Sequence, residues 1–178
     1  MGSRHVGNNW VPMMGMAVLF LGGAAVALMS NSDDGAVPFY YLLNGLLLTV
    51  ITGLWFLRHR PALLGTTKAY LYTLGGTELG LLVGGLVGPL RGCGPWLALG
   101  IGVVAYGVLE RARVIVTAGV VAFVAAVLAA SISAPVLGGA LQTATAAGFS
   151  VAAYRLHLMK HGRRPPRREV DLATLTLR

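Results

Sequence analysis

Long apolar stretches separated by short polar loops are the feature that most constrains this chain. Six of them follow one another, over residues 11–29, 37–57, 70–90, 95–109, 114–130 and 135–156. A bilayer core about 30 Å thick needs roughly 20 apolar helical residues to span it. Only 11% of the 178 residues are charged, against about a quarter in a soluble domain. The sequence therefore predicts an all-α integral membrane bundle of six transmembrane helices and excludes a soluble domain.

The fourth and fifth stretches are the shortest, and the charged turn over residues 110–113 separates them. Six full spans are the favoured interpretation, and a re-entrant hairpin formed by this pair is the alternative. Both interpretations leave one transmembrane domain over residues 1–156. A basic cytoplasmic tail is predicted to follow it over residues 157–178.

The basic residues fall almost entirely on one side of the predicted spans. With the N-terminus inside, 13 of the 14 Lys and Arg residues lie on the inner side, and only Arg91 lies outside. Positive residues accumulate in short cytoplasmic loops, so a multi-pass cell-membrane protein with both termini in the cytoplasm is predicted. The net charge of +8 is then a set of anchors and not a nucleic-acid site. The expected partners are membrane lipid and a lipophilic small molecule.

Several chemistries lack the residues that they need. Cys93 is the single cysteine, so neither an internal disulfide nor a CxxC redox pair can form. All four histidines fall in predicted loops or tails, which leaves an intramembrane haem or metal without ligands. His157 and His161 have the i, i+4 spacing of a metal site on a helix, but no suitable third ligand is near. We therefore expect no metal and no cofactor.

The third stretch carries a glycine every four residues, at Gly76, Gly80, Gly84 and Gly88. Residues at this spacing share one helix face, and small residues let helices approach closely in lipid. A tight helix pair inside the protein is the favoured use of this face. A homo-oligomer formed through the same glycines is the alternative.

Glu78 is the one carboxyl that lies well inside a predicted span. An ionisable group at such a depth costs at least about 2.5–3.5 kcal/mol, so it needs a partner or a purpose. It points away from the glycine face towards leucines, and an apolar environment favours the neutral acid. We expect a protonated carboxyl that finds its partner on another span, where Gln142, Asn44 and Tyr106 are the candidates.

A neutral carboxylic acid in an apolar pocket is a competent general acid, and aromatic faces stabilise a developing cation. The predicted catalytic residues are Glu78, Tyr106 and Glu110, and the predicted substrate-binding residues are Tyr41, Asn44, Gln142, Thr145 and Phe149. The sequence thus favours an intramembrane enzyme that protonates a lipophilic, isoprenoid-like substrate without a metal, as in terpene-cyclase chemistry.

Two other interpretations stay open. Glu78 is the gate or relay of a small-solute or proton-coupled channel or transporter in the first, although sparse mid-span polar groups count against a wide aqueous pore. In the second, Glu78 hydrogen-bonds a neighbour and locks a membrane scaffold that has no catalytic role.

Overall fold

A computed structural model describes residues 5–30, 35–87, 92–131 and 135–162 of the chain. These residues form six α-helices: α1 Trp10–Met29, α2 Ala36–Arg58, α3 Thr67–Leu86, α4 Gly94–Leu109, α5 Arg113–Ser131 and α6 Pro135–His161. A 3-10 turn over Gly7–Asn9 leads into α1. No strand occurs within the described ranges, which confirms the all-α prediction.

Each predicted stretch coincides with one helix, and the largest differences in bounds are in α3 and α6. α3 begins at Thr67, three residues early, because the Thr66 hydroxyl caps it by accepting the backbone N–H of Ala69 at 3.3 Å. Its predicted end at residue 90 lies outside the described residues. α6 continues to His161, five residues into the predicted tail, and residues 163–178 of that tail lie outside the described part of the chain.

The helices form a closed ring in chain order. Each helix contacts the next one along the chain, and the most extensive contact joins the first helix, α1, to the last, α6. The pairs α4–α5 and α3–α4 follow in extent, while α2 makes smaller contacts with α3 and α4. Four large aromatic side chains fill the interior of this ring: Phe20, Tyr41, Trp96 and Phe149.

Glycines bring the backbones of α4 and α5 together. A Cβ built on Gly107 would lie 2.7 Å from the backbone nitrogen of Val116, and one on Gly119 would lie 2.7 Å from that of Val104. Contacts this short leave no room for a side chain. The two helices therefore pack through their backbones, as small residues allow.

The glycine face of α3 packs against α4 within the same chain. A Cβ on Gly80 would lie 2.8 Å from Ala98 Cβ, and one on Gly84 would lie 2.5 Å from the carbonyl carbon of Gly94. Gly76 faces open space, and Gly88 lies outside the described residues. Part of the predicted face is thus used inside the protein, and its role between copies of the chain stays a prediction.

Large apolar side chains are exposed on every helix. Examples, one from each helix in order, are Val18, Leu54, Leu71, Ile101, Val124 and Val151. Within the described ranges, three helical segments are long and apolar enough to cross a membrane, Gly7–Met29, Ala36–Arg58 and Arg113–Ser131, and α4 is apolar but shorter. α3 is rich in glycine and threonine, and α6 ends in several basic residues, which lowers their hydropathy.

Candidate functional site

Glu78 lies on α3 at the contact with α2, where its side chain is half-buried. The hydroxyl of Thr49 on α2 donates a 2.6 Å hydrogen bond to Glu78 Oε1. Glu78 Oε2 is buried and has no hydrogen-bond partner among the described residues. One oxygen of this carboxyl is therefore fixed, and the other is available to a proton or a ligand.

The surroundings of Glu78 are apolar. Leu79 and Leu82 on the same helix are 60% and 45% exposed, whereas Leu81 is only 2% exposed. Leu81 is buried at the contact with α2, where it lies 3.1 Å from the Cβ position of Gly45. The carboxyl thus lies at the border between the packed interior and the apolar outer surface.

The partner of Glu78 differs from the three expected from the sequence. Gln142 Oε1 accepts a 3.0 Å hydrogen bond from the Tyr41 hydroxyl, and the Asn44 amide donates to the backbone carbonyl of Tyr40 at 2.9 Å. The third candidate, Tyr106, donates to Asn9 Oδ1 at 2.7 Å. Thr49 takes their place because it faces α3.

Four of the five predicted substrate-binding residues lie in the packed core. Tyr41, Gln142, Thr145 and Phe149 are each at most 2% exposed, and Asn44 is half-buried on α2. The Phe149 ring stacks on Phe20 at 5.4 Å between centroids. The Thr145 hydroxyl donates to a backbone carbonyl of its own helix. The hydrogen-bonding groups of these residues therefore serve the fold, and none of them forms a hydrogen bond with Glu78.

Glu110 is the most deeply buried carboxyl among the described residues, with no exposed surface. Its Oε1 accepts the Tyr70 hydroxyl at 2.6 Å and the backbone N–H of Leu63 at 3.0 Å. Its Oε2 is buried without a partner among the described residues. Glu78 is only half-buried, so Glu110 is the more enclosed of the two carboxyls inside the protein.

The chain reverses directly after Glu110, and this reversal explains its burial. Arg111 adopts a left-handed conformation with φ 50°, which costs roughly 1–2 kcal/mol for a residue with a Cβ. This reversal leaves the side chains of Arg111 and Arg113 exposed, whereas Glu110 is buried. Leu63, with φ 47°, adopts the same conformation in the α2–α3 loop where its N–H reaches the carboxyl.

Tyr106 lies one turn before Glu110 and joins the same group of side chains. Its ring centroid is 6.0 Å from that of Tyr70 and 6.4 Å from that of Phe56. Asn9, which accepts its hydroxyl, is fully buried and leaves its own Nδ2 without a partner among the described residues. Tyr70 thus links Tyr106 and Glu110, because its ring packs on Tyr106 and its hydroxyl donates to Glu110.

Glu78 forms a second, separate group with Thr49. It lies eight residues along α3 from Tyr70, or roughly 12 Å at 1.5 Å per residue. The three predicted catalytic residues therefore occupy two places on the contact between α2, α3 and α4. Sequence reasoning missed Thr49, Tyr70 and Asn9 as members of these groups.

Two carboxyls with one unpartnered oxygen each are the chemically distinctive groups of the described chain. No family model, curated protein or solved structure matches the sequence. The function is therefore inferred from these side chains and from the surface around them.

Proposed function

We propose that the six helices span a membrane, with both termini on the cytoplasmic side. Three of them are long and apolar enough to do so alone, and exposed apolar side chains occur on all six. An apolar outer surface of this extent is typical of a membrane interaction. α4 has only 16 residues, but it is the most buried helix and is surrounded by longer neighbours.

Within this bundle, we propose an enzyme that protonates a lipophilic, isoprenoid-like substrate, with Glu78 as the general acid. The observation that carries the proposal is the asymmetry of its carboxyl. Thr49 holds Oε1 at 2.6 Å, whereas Oε2 is buried and unpartnered. A neutral acid oriented in this way presents its proton from Oε2.

The position of Glu78 suits a substrate that arrives from the lipid. The α2–α3 contact is one of the less extensive in the ring, and Leu82, one turn after Glu78 on the same helix face, is exposed. A hydrocarbon chain reaches Oε2 between these helices without crossing water. An aqueous pore would instead need a continuous polar lining.

The reaction balances without a metal. The proton on Oε2 adds to one carbon of an alkene, whose π electrons form the new C–H bond and leave a cation on the neighbouring carbon. Loss of a different proton to the Glu78 carboxylate forms a new double bond and restores the acid.

Isotope exchange tests this chemistry whatever the structure of the product. Full-length protein in nanodiscs is incubated in D2O with squalene or farnesol as the polyisoprenoid probe, and the recovered lipid is analysed by mass spectrometry. We expect deuterium incorporation or isomerisation by the native protein. Glu78→Gln should lower it by about 10²- to 10⁴-fold, the usual contribution of a general acid.

Matched threonine variants provide the control. Thr49→Val should reduce exchange because Oε1 loses its donor, whereas Thr117→Val, at an exposed site on α5, should leave it unchanged. Unchanged exchange in Glu78→Gln would reject the role of Glu78. Absence of exchange by folded native protein with both probes would reject the enzyme.

A proton relay is the second candidate, and the position of Glu110 favours it. Glu110 and Glu78 lie at different heights along the contact between α3 and its neighbours. Tyr70 on α3 donates a hydrogen bond to Glu110, the more buried carboxyl. A proton-coupled carrier predicts that proteoliposomes acidify in response to a pH gradient and that Glu110→Gln and Glu78→Gln each stop the flux. Flux equal to that of empty liposomes would exclude the carrier. If the protein also showed no isotope exchange, the scaffold without a catalytic role would be the remaining interpretation.

A further inference from the structure

A group of nitrogen-bearing rings lies where the N-terminal end of α1 meets the C-terminal ends of α2 and α6. We call it the inner-end cluster, and its members are Trp10, Trp55, His59, His157, Lys160 and His161. The Trp10 ring packs edge-on against Trp55 at 6.1 Å and against His157 at 5.0 Å. The His59 ring stacks on Trp55 at 3.9 Å. These contacts assemble three helices around one group of side chains.

Three ring nitrogens in the inner-end cluster are buried without a hydrogen-bond partner among the described residues. They are Trp10 Nε1, His59 Nδ1 and His157 Nδ1. An indole N–H is always a donor, and both nitrogens of a charged imidazole are donors. A buried donor without an acceptor is costly, so the Trp10 N–H, with two unpartnered imidazole nitrogens in the same cluster, points to an acceptor that binds there.

The charge of the inner-end cluster has one sign. Lys160 Nζ lies 5.4 Å from the centre of the Trp55 ring, and Arg58 and Arg60 are exposed beside His59. The described carboxyls are Glu78 and Glu110 alone, and the hydrogen bonds of both lie outside this cluster. The missing acceptor is therefore expected to be an anion that comes from outside the described chain.

The inner-end cluster is held in place by the turn that precedes α1. The Trp55 indole N–H donates to the backbone carbonyl of Asn8 at 2.9 Å, and the Asn8 amide donates to that of Arg60 at 2.8 Å. Gly7 packs so closely on α6 that a Cβ on it would lie 2.8 Å from Lys160 Cβ. A cluster fixed in this way needs little rearrangement to bind a ligand.

We propose that the inner-end cluster binds a phosphate group, with the ring N–H groups as hydrogen-bond donors and Lys160 as the counter-charge. Phosphate offers several acceptor oxygens to unpartnered nitrogens that belong to α1, to the end of α2 and to α6, and bonds to an anion are the strong ones. A metal is a poorer fit, because no group of three potential ligands that would hold one occurs among the described residues. This site does not depend on the chemistry proposed for Glu78.

Native mass spectrometry of the full chain in detergent tests the site with three probes. They are inorganic phosphate, dioctanoyl phosphatidic acid, and dioctanoylglycerol, which is the same lipid without phosphate. We expect phosphatidic acid to bind and dioctanoylglycerol not to bind. Inorganic phosphate that competes equally would identify a soluble phosphate as the ligand, and tighter binding of the lipid would identify a headgroup.

Two matched pairs of variants locate the binding. Trp10→Phe keeps a ring but removes the N–H, and Lys160→Gln removes the charge; each should weaken binding on the order of tenfold. Trp96→Phe, in the core, and Arg155→Gln, exposed on α6, should leave it within about twofold of the native value. Equal binding of the two lipids, or equal effects within each pair, would overturn the proposal.

Discussion

At the scale of single residues, Glu110 receives its hydrogen bonds from neutral groups only. The donors are the Tyr70 hydroxyl and the Leu63 backbone N–H, and no described side chain supplies a positive charge to it. A buried carboxyl group that loses its hydrogen-bond partners is expensive. The pair of neutral donors therefore carries much of the stability of this corner of the protein.

Removing one donor tests this dependence. Tyr70→Phe should lower the free energy of unfolding by about 1–3 kcal/mol, because Glu110 Oε1 loses its shortest hydrogen bond in a buried site. Unfolding in mixed detergent micelles is the measurement. Tyr72→Phe, on the same helix but 77% exposed, is the control, and an equal loss in both variants would contradict the role of the bond.

The thiol of Cys93 gives a second residue-scale prediction. Cys93 is 5% exposed where α4 begins, and burial raises the pKa of the thiol. Since the thiolate is the reactive form, a raised pKa leaves less of it at neutral pH. Alkylation by N-ethylmaleimide at pH 7 should therefore be slow and should accelerate at higher pH.

A cysteine at a neighbouring exposed position is the control for this thiol. Gly92 is exposed, so Gly92→Cys in a Cys93→Ala background should react much faster. Equal rates for the native and the engineered thiol would show that Cys93 is accessible.

Some residues of the site are readable from the sequence and others are not. Glu78 is conspicuous because it is a carboxyl inside an apolar stretch. The burial of Glu110 depends on the left-handed turn at Arg111, which nothing in the local residue pattern announces. Tyr70 begins a predicted span, where tyrosine is typical of an interfacial anchor, and its hydrogen bond to Glu110 depends on how α3 and α4 pack.

At the scale of helices, the close contact between α3 and α4 predicts that the same substitution has different effects on stability at two glycines of α3. Gly84→Ala should destabilise the protein by about 1–3 kcal/mol, because the new methyl group collides with backbone atoms of Gly94 and Pro95 that cannot yield. Gly76→Ala adds the same group to open space on the same helix. It should be neutral or stabilise by up to about 1 kcal/mol through helix propensity.

Detergent unfolding of both variants is the measurement, combined with their oligomeric state by light scattering. A large loss in Gly76→Ala together with dissociation of an oligomer would instead assign the glycine face to contacts between copies. Equal stability of both variants would contradict the close contact between α3 and α4.

The helices themselves are predictable because their length and composition are local properties. The α4–α5 contact is harder to predict, since Gly100 and Gly107 lie seven residues apart and do not follow the four-residue spacing of the α3 glycines. Two α-helical turns also bring residues seven apart to one face, so the pattern is present in the sequence. The arrangement of all six helices determines which neighbour such a face packs against, and the residue pattern of a single helix does not.

At the scale of the whole molecule, the predicted orientation assigns the two ends of the ring to opposite sides of the membrane. In a Cys93→Ala background, Gly92→Cys should react with a membrane-impermeant maleimide on intact cells. Lys68→Cys, at an exposed position on the predicted inner side, should react only after permeabilisation. Labelling of Lys68→Cys on intact cells would reverse the predicted topology.

The contact between α1 and α6 has a consequence for biosynthesis. α1 leaves the ribosome first, and its most extensive partner in the ring is the last helix to be made. At 5–20 residues per second, translation reaches the end of α6 roughly 5–30 s after α1 is complete. During that interval the α1 surface that carries Trp10 and Phe20 lacks its partners His157 and Phe149 on α6. If the helices enter a membrane as proposed, lipid or the insertion machinery has to cover this surface until the last helix arrives.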